Sequence, residues 1–163
     1  MAYEIERKFL PSSDAWRRDI DRTLHIKQAY LCNTDKASLR IRTSNELAFI
    51  SSKTMTRDIR RHEFEYPIPL HDAEFMIEFM CQGSAIIKDR HLVRVGEHVW
   101  EIDEFFGENS GLVVAEIELT HEEERFERPG WLGDEVSSDQ RYFNMMLVNN
   151  PFKNWTTDSR SRV

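Results

Sequence analysis

Charged residues recur at every second position in several short segments of this chain, and this alternation constrains the fold more than any other feature. The first such segment is Glu4-Ile5-Glu6-Arg7-Lys8. Side chains point to opposite faces of a strand in turn, so Glu4, Glu6 and Lys8 share one face. Adjacent carboxylates repel each other unless a cation neutralises them, which makes a divalent metal with oxygen ligands a candidate for this face. Taken alone, such a segment more often marks a strand face exposed to water.

The same alternation returns along the chain with both signs of charge. In Ser38-Leu39-Arg40-Ile41-Arg42, two arginines share a strand face, and their planar guanidinium groups suit polyanionic oxygens. The other charged residues on strand-like faces are Lys53, Glu63, Glu65, Lys88, Arg90, Glu101, Asp103, Glu116 and Glu118. Solvated strand faces usually mix Thr, Ser and Gln with charges, so this concentration of charge is hard to explain as surface decoration.

Eight strands with this alternation predict an α+β fold in one of two forms. An open antiparallel sheet would expose its charged face to water and cover its apolar face with helices. Eight antiparallel strands can instead close into a barrel whose lumen is lined by the charged side chains. Buried charge is costly unless it is paired, hydrated or bound to an ion. The closed form therefore predicts a guest such as a polyphosphate bridged by a divalent cation.

Helical spacing appears in a few segments outside these strands. Segment 72–82 carries apolar residues at helical spacing, with Asp72 as the N-cap and Gly83 as the stop. The other predicted helices are a short one with Trp16 on its buried side, a solvated one over 122–128, and a last one from Ser138 or Asp139 through Leu147. Segment 129–133 is expected to be an irregular connector.

Composition limits the remaining possibilities. The 163 residues fit one domain, and a formal net charge of −7 argues against broad binding to nucleic acid or to an anionic membrane. The first 25 residues lack an apolar run behind a basic start, so we expect a cytoplasmic protein. Cys32 and Cys81 are isolated in apolar contexts and are interpreted as reduced core thiols. The six histidines show no zinc-site spacing.

In their order along the chain, these segments resemble the CYTH superfamily, the triphosphate tunnel metalloenzymes. The segments that carry the resemblance are Glu4-x-Glu6-x-Lys8, Gln28-x-Tyr30-Leu31, Arg40-x-Arg42, Lys53, Glu63-Phe64-Glu65-Tyr66, Lys88-x-Arg90, Glu101-x-Asp103 and Glu116-Ile117-Glu118. The resemblance implies an eight-stranded antiparallel tunnel with a charged lumen and a few helices outside it and at one mouth. It also implies a divalent cation, Mg²⁺ or Mn²⁺, and a single tunnel domain over 1–155 with a frayed tail over 156–163.

Roles for individual residues follow from the same resemblance. The implied metal ligands are Glu4, Glu6 and Glu118, joined by Glu116. The implied ligands of phosphate oxygens are Lys8, Arg40, Arg42, Lys53 and Arg90. Lys88 matches a lysine that helps to activate water, and with Glu6 and Arg42 it forms the expected catalytic set. The alternative to activation by this lysine is a metal-bound water that carboxylates orient. The other expected lumen residues are Glu63, Glu65, Glu101 and Asp103.

Two positions within the resemblance carry their own expectations. Ser52 stands where the family usually has an apolar residue, so the packing and register of its strand are expected to be weaker. Arg141 lies in the C-terminal helix that closes one tunnel mouth in short members of the family, and we expect it to reach inward.

The short length and the segments 100–105 and 111–119 are most similar to the compact bacterial inorganic triphosphatases. That similarity implies metal-dependent hydrolysis of tripolyphosphate to pyrophosphate and phosphate. A nucleoside or thiamine triphosphatase, or a class IV type adenylate cyclase, is the alternative within the superfamily, with Tyr30 and Phe49 as the only evident inward aromatic residues. A non-catalytic polyphosphate or nucleotide sensor is the alternative of a different class. The sequence leaves the oligomeric state open, with a homodimer possible.

Overall fold

The computed structural model describes residues 3–56 and 58–155, and its centre is one antiparallel sheet. The strands are β1 (Tyr3–Pro11), β2 (Ile20–Asn33), β3 (Ala37–Ser44), β4 (Leu47–Thr54), β5 (Arg60–Pro67), β6 (Gln82–Val95), β7 (His98–Phe105), β8 (Val113–Leu119) and β9 (Leu132–Glu135). Hydrogen-bonded neighbours follow the order β5-β4-β3-β2-β6-β7-β8-β1-β9, and β5 also pairs with β1. That pairing closes β1 to β8 into an eight-stranded barrel, which confirms the closed form of the predicted α+β fold.

Closure depends on β1, which pairs with β5 near its start and with β8 further along. Near its start, Glu4 lies opposite Arg61 of β5. Further along, Glu6 lies opposite Glu118 and Lys8 opposite Glu116, both on β8. Directly opposed residues on antiparallel strands lie within reach of each other's side chains. The barrel therefore concentrates charge from three strands at this seam.

Apolar side chains pack on the outer side of the barrel in three clusters. Representative buried members are Phe9, Trp16 and Trp100 in the first, Leu112, Tyr142 and Leu147 in the second, and Ala29, Ile41 and Ile77 in the third. Alternation along each strand then turns the charged side chains into the lumen. The fold thus places its apolar core between barrel and covering segments and leaves the barrel interior polar.

The third cluster lies under helix α1 (Leu70–Phe79), which packs against β2, β3 and β4. Its buried residues are Ala73 and Ile77, at the helical spacing that the sequence predicts. The helix begins after Pro69, so Asp72 lies in its first turn and is not the N-cap. Gly83, expected as the stop, lies inside β6 with φ of +66°, a conformation that favours glycine.

Two other predicted helices differ in the structure. The segment with Trp16 forms only a 3-10 turn (Ala15–Asp19), although Trp16 is buried as expected. The prediction of a solvated helix over 122–128 was wrong, because this segment is a turn followed by irregular backbone. The Glu124 carboxylate accepts hydrogen bonds from the backbone N–H and the hydroxyl of Thr120 and pairs with His98. These contacts tie the segment back to the barrel, and such side-chain bonds to the backbone compete with helix formation.

Strand β9 occupies part of the segment expected to be an irregular connector. It pairs in antiparallel fashion with the C-terminal end of β1, with Leu132 opposite Pro11 and Glu135 opposite Phe9. Gly133 is required there, because a β-carbon at this position would collide with the carbonyl oxygen of Leu10. The expected connector was therefore wrong at 132–133.

The predicted C-terminal helix is divided into two pieces. Asp139 accepts a hydrogen bond from the backbone N–H of Arg141 and begins a 3-10 turn (Gln140–Tyr142). Helix α2 (Asn144–Asn149) follows directly and packs against β6. Within the described ranges, no helix is long and apolar enough to cross a membrane. The expected tail over 156–163 lies outside the described residues.

Two smaller expectations also have clear outcomes. Cys32 and Cys81 are free thiols, but neither is a core residue, since Cys32 is exposed and Cys81 is half-buried. Cys32 lies beside a register shift between β2 and β3, which breaks the alternation used to place it. Strand β4 keeps a continuous register with β3 and β5 through Ser52, so the missing apolar side chain does not displace the strand.

Candidate active site

The barrel lumen holds a cavity of about 220 Å³ with an unusual density of charge. Its carboxylates come from Glu4, Glu6, Glu63, Glu65, Glu101, Glu116 and Glu118. Its cations come from Lys8, Arg40, Arg42, Lys53, Arg61 and Arg90. Seven carboxylates thus meet six cations, so the wall attracts both anions and additional cations. Apart from Lys88 and Asp103, which are buried in the wall, every site residue predicted from the sequence lines this cavity.

At the seam between β1 and β8, Lys8 joins two carboxylates. Its Nζ donates to Glu116 Oε1 at 2.6 Å and to Glu6 Oε1 at 3.0 Å. Burial opposes ionisation of Glu6, but the ammonium of Lys8 outweighs it and lowers the pKa of Glu6 to about 2. Burial also works against the charge on Lys8, yet Glu116 and Glu6 together raise the pKa of Lys8 above its usual range. Glu6 and Lys8 are therefore both charged at neutral pH.

The neighbouring seam between β1 and β5 is arranged around Lys53. Its Nζ donates to Glu4 Oε1 at 2.7 Å and lies 3.4 Å from Glu63 Oε2. Burial and the adjacent Glu63 raise the pKa of Glu4, despite the attraction of Lys53. Two carboxylates share one ammonium here, so this corner of the cavity could bind an additional cation.

The two arginines of β3 differ in how far they are neutralised. Arg40 donates to Ser51 Oγ at 2.9 Å and lies 3.5 Å from Glu65. Arg42 donates from Nε to Gln28 Oε1 at 3.0 Å, and it has no ion pair with any carboxylate in the described residues. Burial and the nearby cations of Arg40 and Arg90 lower the pKa of Arg42 to about 10. Arg42 is thus a cation in the lumen wall that an anion would stabilise.

Lys88 and Arg90 share the buried carboxylate of Asp103. Lys88 Nζ donates to Asp103 Oδ2 at 2.6 Å. Arg90 donates to both carboxylate oxygens of Asp103, at 2.8 and 2.9 Å. Its Nη1 also donates to Glu101 at 2.9 Å. The side chains of Lys88 and Asp103 are 0% exposed. Burial lowers the pKa of Lys88 to about 7, since Arg90 and Arg42 oppose the attraction of Asp103. Lys88 is therefore a buried amine that gains and loses its proton near neutral pH.

One group of carboxylates has the geometry of a cation site. Glu6, Glu101 and Glu116 each offer an oxygen, and the three oxygens lie within 4.8 Å of one another. Hard oxygen ligands of this kind suit Mg²⁺ or Mn²⁺. Glu118 lies beside this group, and burial together with four neighbouring carboxylates raises its pKa to about 7. The excess of carboxylates is what a divalent cation would relieve, so the residues present fit such an ion.

Several residues that line the cavity were not predicted as site residues, and one predicted residue lies elsewhere. Arg61 lines the cavity with its guanidinium 4.4 Å from the centre of the Phe143 ring, and Asn144 and Met145 of α2 also line it. Arg141, expected to reach inward, instead pairs with Asp139 at 2.6 Å. The register of Arg61 relative to Glu63 and Glu65, two and four positions away, was a usable signal for its inward face. The resemblance placed the C-terminal helix at one tunnel mouth, but no pattern singled out Phe143, Asn144 or Met145, whose place in the cavity wall depends on tertiary packing.

Comparisons with known proteins agree with this geometry. A family model described as the CYTH domain matches residues 2–144. An inorganic triphosphatase of Acetivibrio thermocellus is 41% identical over 155 residues, covering 95% of this chain and 99% of that protein. An inorganic triphosphatase of Nitrosomonas europaea is 32% identical over 152 residues, covering 89% of this chain and 96% of that protein.

Structural similarity leads to the same family. The crystal structure of the inorganic triphosphatase NE1496 matches with a TM-score of 0.65 and 30% identity, covering 91% of this chain and 95% of that one. The family model spans most of the sequence, and the relatives match it nearly end to end. This chain therefore belongs to the CYTH domain family.

Proposed function

We propose that this protein is a divalent-metal-dependent inorganic triphosphatase that hydrolyses tripolyphosphate to pyrophosphate and phosphate. The observation that carries the proposal is the closed lumen in which six cations and seven carboxylates face one cavity. The relatives from Acetivibrio thermocellus and Nitrosomonas europaea, both named inorganic triphosphatases, support the same activity. A polyanion alone would be repelled by the carboxylates, and a metal alone would leave the arginines unused. A metal-bound triphosphate satisfies both sets of charges.

In this proposal, Mg²⁺ or Mn²⁺ is held by Glu6, Glu101 and Glu116. The sequence resemblance implies that Glu4 and Glu118 are ligands as well; in this proposal they flank the group on the same wall and add negative charge. The ion would supply positive charge to the phosphoryl oxygens and act as a Lewis acid. Glu101 enters this set from its distance to Glu6 and Glu116, whereas the sequence suggested only a general lumen role for it.

The cations of the wall bind the phosphate oxygens in this proposal. They are Lys8, Arg40, Arg42, Lys53 and Arg90, and Arg61 joins them at the cavity edge. Arg42 contributes most, because its Nε is fixed by Gln28 and its charge lacks a carboxylate partner in the described part of the chain. Preorganised cations stabilise the charge that spreads over the transferred phosphoryl group.

Lys88 is the proton acceptor that we propose for the attacking water. Near pH 7 a fraction of its amine is neutral, which a general base requires. One O–H bond of water breaks as the N–H bond forms, and the oxygen attacks the terminal phosphorus. The bond from that phosphorus to the bridging oxygen breaks, and pyrophosphate leaves. Glu6 and Arg42 complete the catalytic set by orienting the ion and the phosphoryl group.

Phosphate release from tripolyphosphate, ATP and thiamine triphosphate, each with Mg²⁺, separates the candidate functions. Tripolyphosphate should be turned over fastest, because the cavity walls offer charge at most positions and few aromatic surfaces for an organic group. Of the two aromatic residues named from the sequence, Tyr30 lines the cavity. Equal or faster turnover of ATP, or formation of cyclic AMP, would contradict the proposal. Binding without phosphate release would indicate a sensor. The cytoplasmic location and a homodimer remain predictions from sequence.

A further inference from the structure

The amine of Lys88 is enclosed by side chains from two different elements. Its Nζ donates to Asp103 Oδ2 of β7 at 2.6 Å and to Asn144 Oδ1 of α2 at 2.9 Å. The aromatic ring of Phe105 lies 5.4 Å from Nζ. Lys88 itself does not line the cavity, whereas Asn144 does. Asn144 therefore lies where the barrel wall around Lys88 meets the cavity.

The chemistry of the contact fixes the orientation of Asn144. A lysine amine has N–H bonds to donate, so the side-chain oxygen of Asn144, and not its NH₂ group, faces Nζ. Asn144 is flanked by Phe143 and Met145, which also line the cavity. Phe143 is in turn covered by the guanidinium of Arg61, which links this segment to β5.

We propose that Asn144 is a positioning residue for Lys88, whose amine it holds jointly with Asp103 in the cavity wall. This inference rests on the proposed function, in which Lys88 accepts a proton. A neutral amine has two N–H bonds and one lone pair. Asp103 and Asn144 accept the two N–H bonds, which leaves one lone pair outside both contacts. Because Nζ is enclosed in the wall, the proton of the attacking water has to reach this lone pair past Asn144, where the wall meets the cavity.

The uncharged character of Asn144 is essential to this arrangement. The charged groups around Lys88 are Asp103 of β7, Arg90 of β6, Arg42 of β3 and Glu116 of β8. Two cations and two carboxylates nearly balance there, so the amine can lose its proton near neutral pH. A second carboxylate in direct contact would retain the ammonium form, whereas an amide accepts the same hydrogen bond without adding charge.

The substitution Asn144→Asp tests this directly, because it keeps the shape and the acceptor oxygen and adds one negative charge. An opposite charge at hydrogen-bond distance shifts a pKa by about 1–3 pH units. The acidic limb of the profile of kcat/KM against pH should therefore move upward by at least about one unit, with an activity loss of about tenfold at pH 7. Asn149→Asp is the matched control, since it adds the same charge to the exposed end of the same helix.

A second measurement separates this inference from the proposed function. The lysine ¹³Cε resonances are followed by NMR against pH in the metal-free protein, and Lys88→Met identifies the signal of Lys88. Asn144→Asp should raise the pH at which that signal titrates, and Asn149→Asp should not. This readout needs no turnover, so it tests the contact even if the wild-type protein releases no phosphate.

Three outcomes would overturn the inference. The first is an unchanged Lys88 titration in Asn144→Asp. The second is an equal shift of the activity profile in Asn149→Asp. The third is a shifted Lys88 titration with an unmoved activity profile, which would show that Lys88 is not the proton acceptor and would leave Asn144 with no role in positioning it for the reaction. If Asn144→Asp does not fold, Asn144→Ala replaces it, and a loss in kcat with KM little changed is then the supporting result.

Discussion

Burial of Lys88 should cost stability in a way that depends on pH, and Lys88→Met should reveal that cost. The folded environment lowers the pKa of this amine from 10.5 to about 7. At about 1.4 kcal/mol for each pH unit, this shift means that folding favours the neutral form of the amine over the charged form by about 5 kcal/mol, compared with the same amine in the unfolded chain. Methionine has a similar length and no charge to desolvate, and Asp103 keeps both hydrogen bonds from Arg90. The variant should therefore be more stable than the wild type at pH 7 and should lose phosphate release.

The sign of the pH dependence follows from proton counting. Between pH 7 and 10.5, unfolded lysine holds its proton while folded Lys88 has largely lost it. The unfolded state then binds more protons, so the free energy of unfolding of the wild type rises with pH across this window. From pH 7 to pH 9 the stability advantage of Lys88→Met should shrink by about 2 kcal/mol.

Urea unfolding of both proteins at pH 7 and pH 9, with the midpoint and slope fitted at each pH, measures this change. Lys153→Met is the matched control, because Lys153 lies on the surface paired with Glu108. Its stability difference from the wild type should be the same at both pH values. An equal stability difference at pH 7 and pH 9 for Lys88→Met would refute the reasoning that a buried, partly neutral amine lies in the wall.

Two further variants test other parts of the structure. Arg42→Ala should raise KM for tripolyphosphate by about 10–100-fold, since a charged hydrogen bond contributes about 1.5–3 kcal/mol. The control is Arg22→Ala, which removes an exposed arginine of the same sheet and should leave KM unchanged. If Arg42→Ala changes only the melting temperature, the role of Arg42 is structural. Gly133→Ala should lower the free energy of unfolding by about 1–3 kcal/mol through collision with Leu10, whereas Gly130→Ala, with open space around it, should be neutral. Equal melting temperatures for the two glycine variants would contradict the close approach of β9.

Much of the barrel was accessible from the sequence because its strands repeat one physical rule. Alternation of charged and apolar residues placed Glu63 and Glu65 of β5 on the inner face, and the structure finds both lining the cavity. The same rule gave most of the charged wall, since each strand face is decided locally. The close grouping of Glu101 with Glu6 was not accessible in this way, because it depends on which strands become neighbours after closure.

The predictions that were wrong or absent concern residues whose structure depends on tertiary contacts and not on the local sequence pattern. Strand β9 has the polar sequence Leu132–Glu135, which has little strand propensity, and it forms only because β1 offers an open edge. The segment around Glu124 looked helical by composition but is held by bonds to Thr120 and His98. Asn144 belongs to no motif, and its contact with Lys88 follows from the packing of α2 against β6.

The most direct test of the central claim is the initial rate of phosphate release from tripolyphosphate as Mg²⁺ is raised from zero, for the wild type and for Glu6→Gln. Glu97→Gln, in the exposed turn between β6 and β7, is the control for loss of a carboxylate. The wild type and Glu97→Gln should gain activity with Mg²⁺ and lose it to a chelator, whereas Glu6→Gln should keep its fold and show little release. Release that survives chelation, or a Glu6→Gln variant that matches the wild type at every Mg²⁺ concentration, would contradict a metal-bound triphosphate in this lumen.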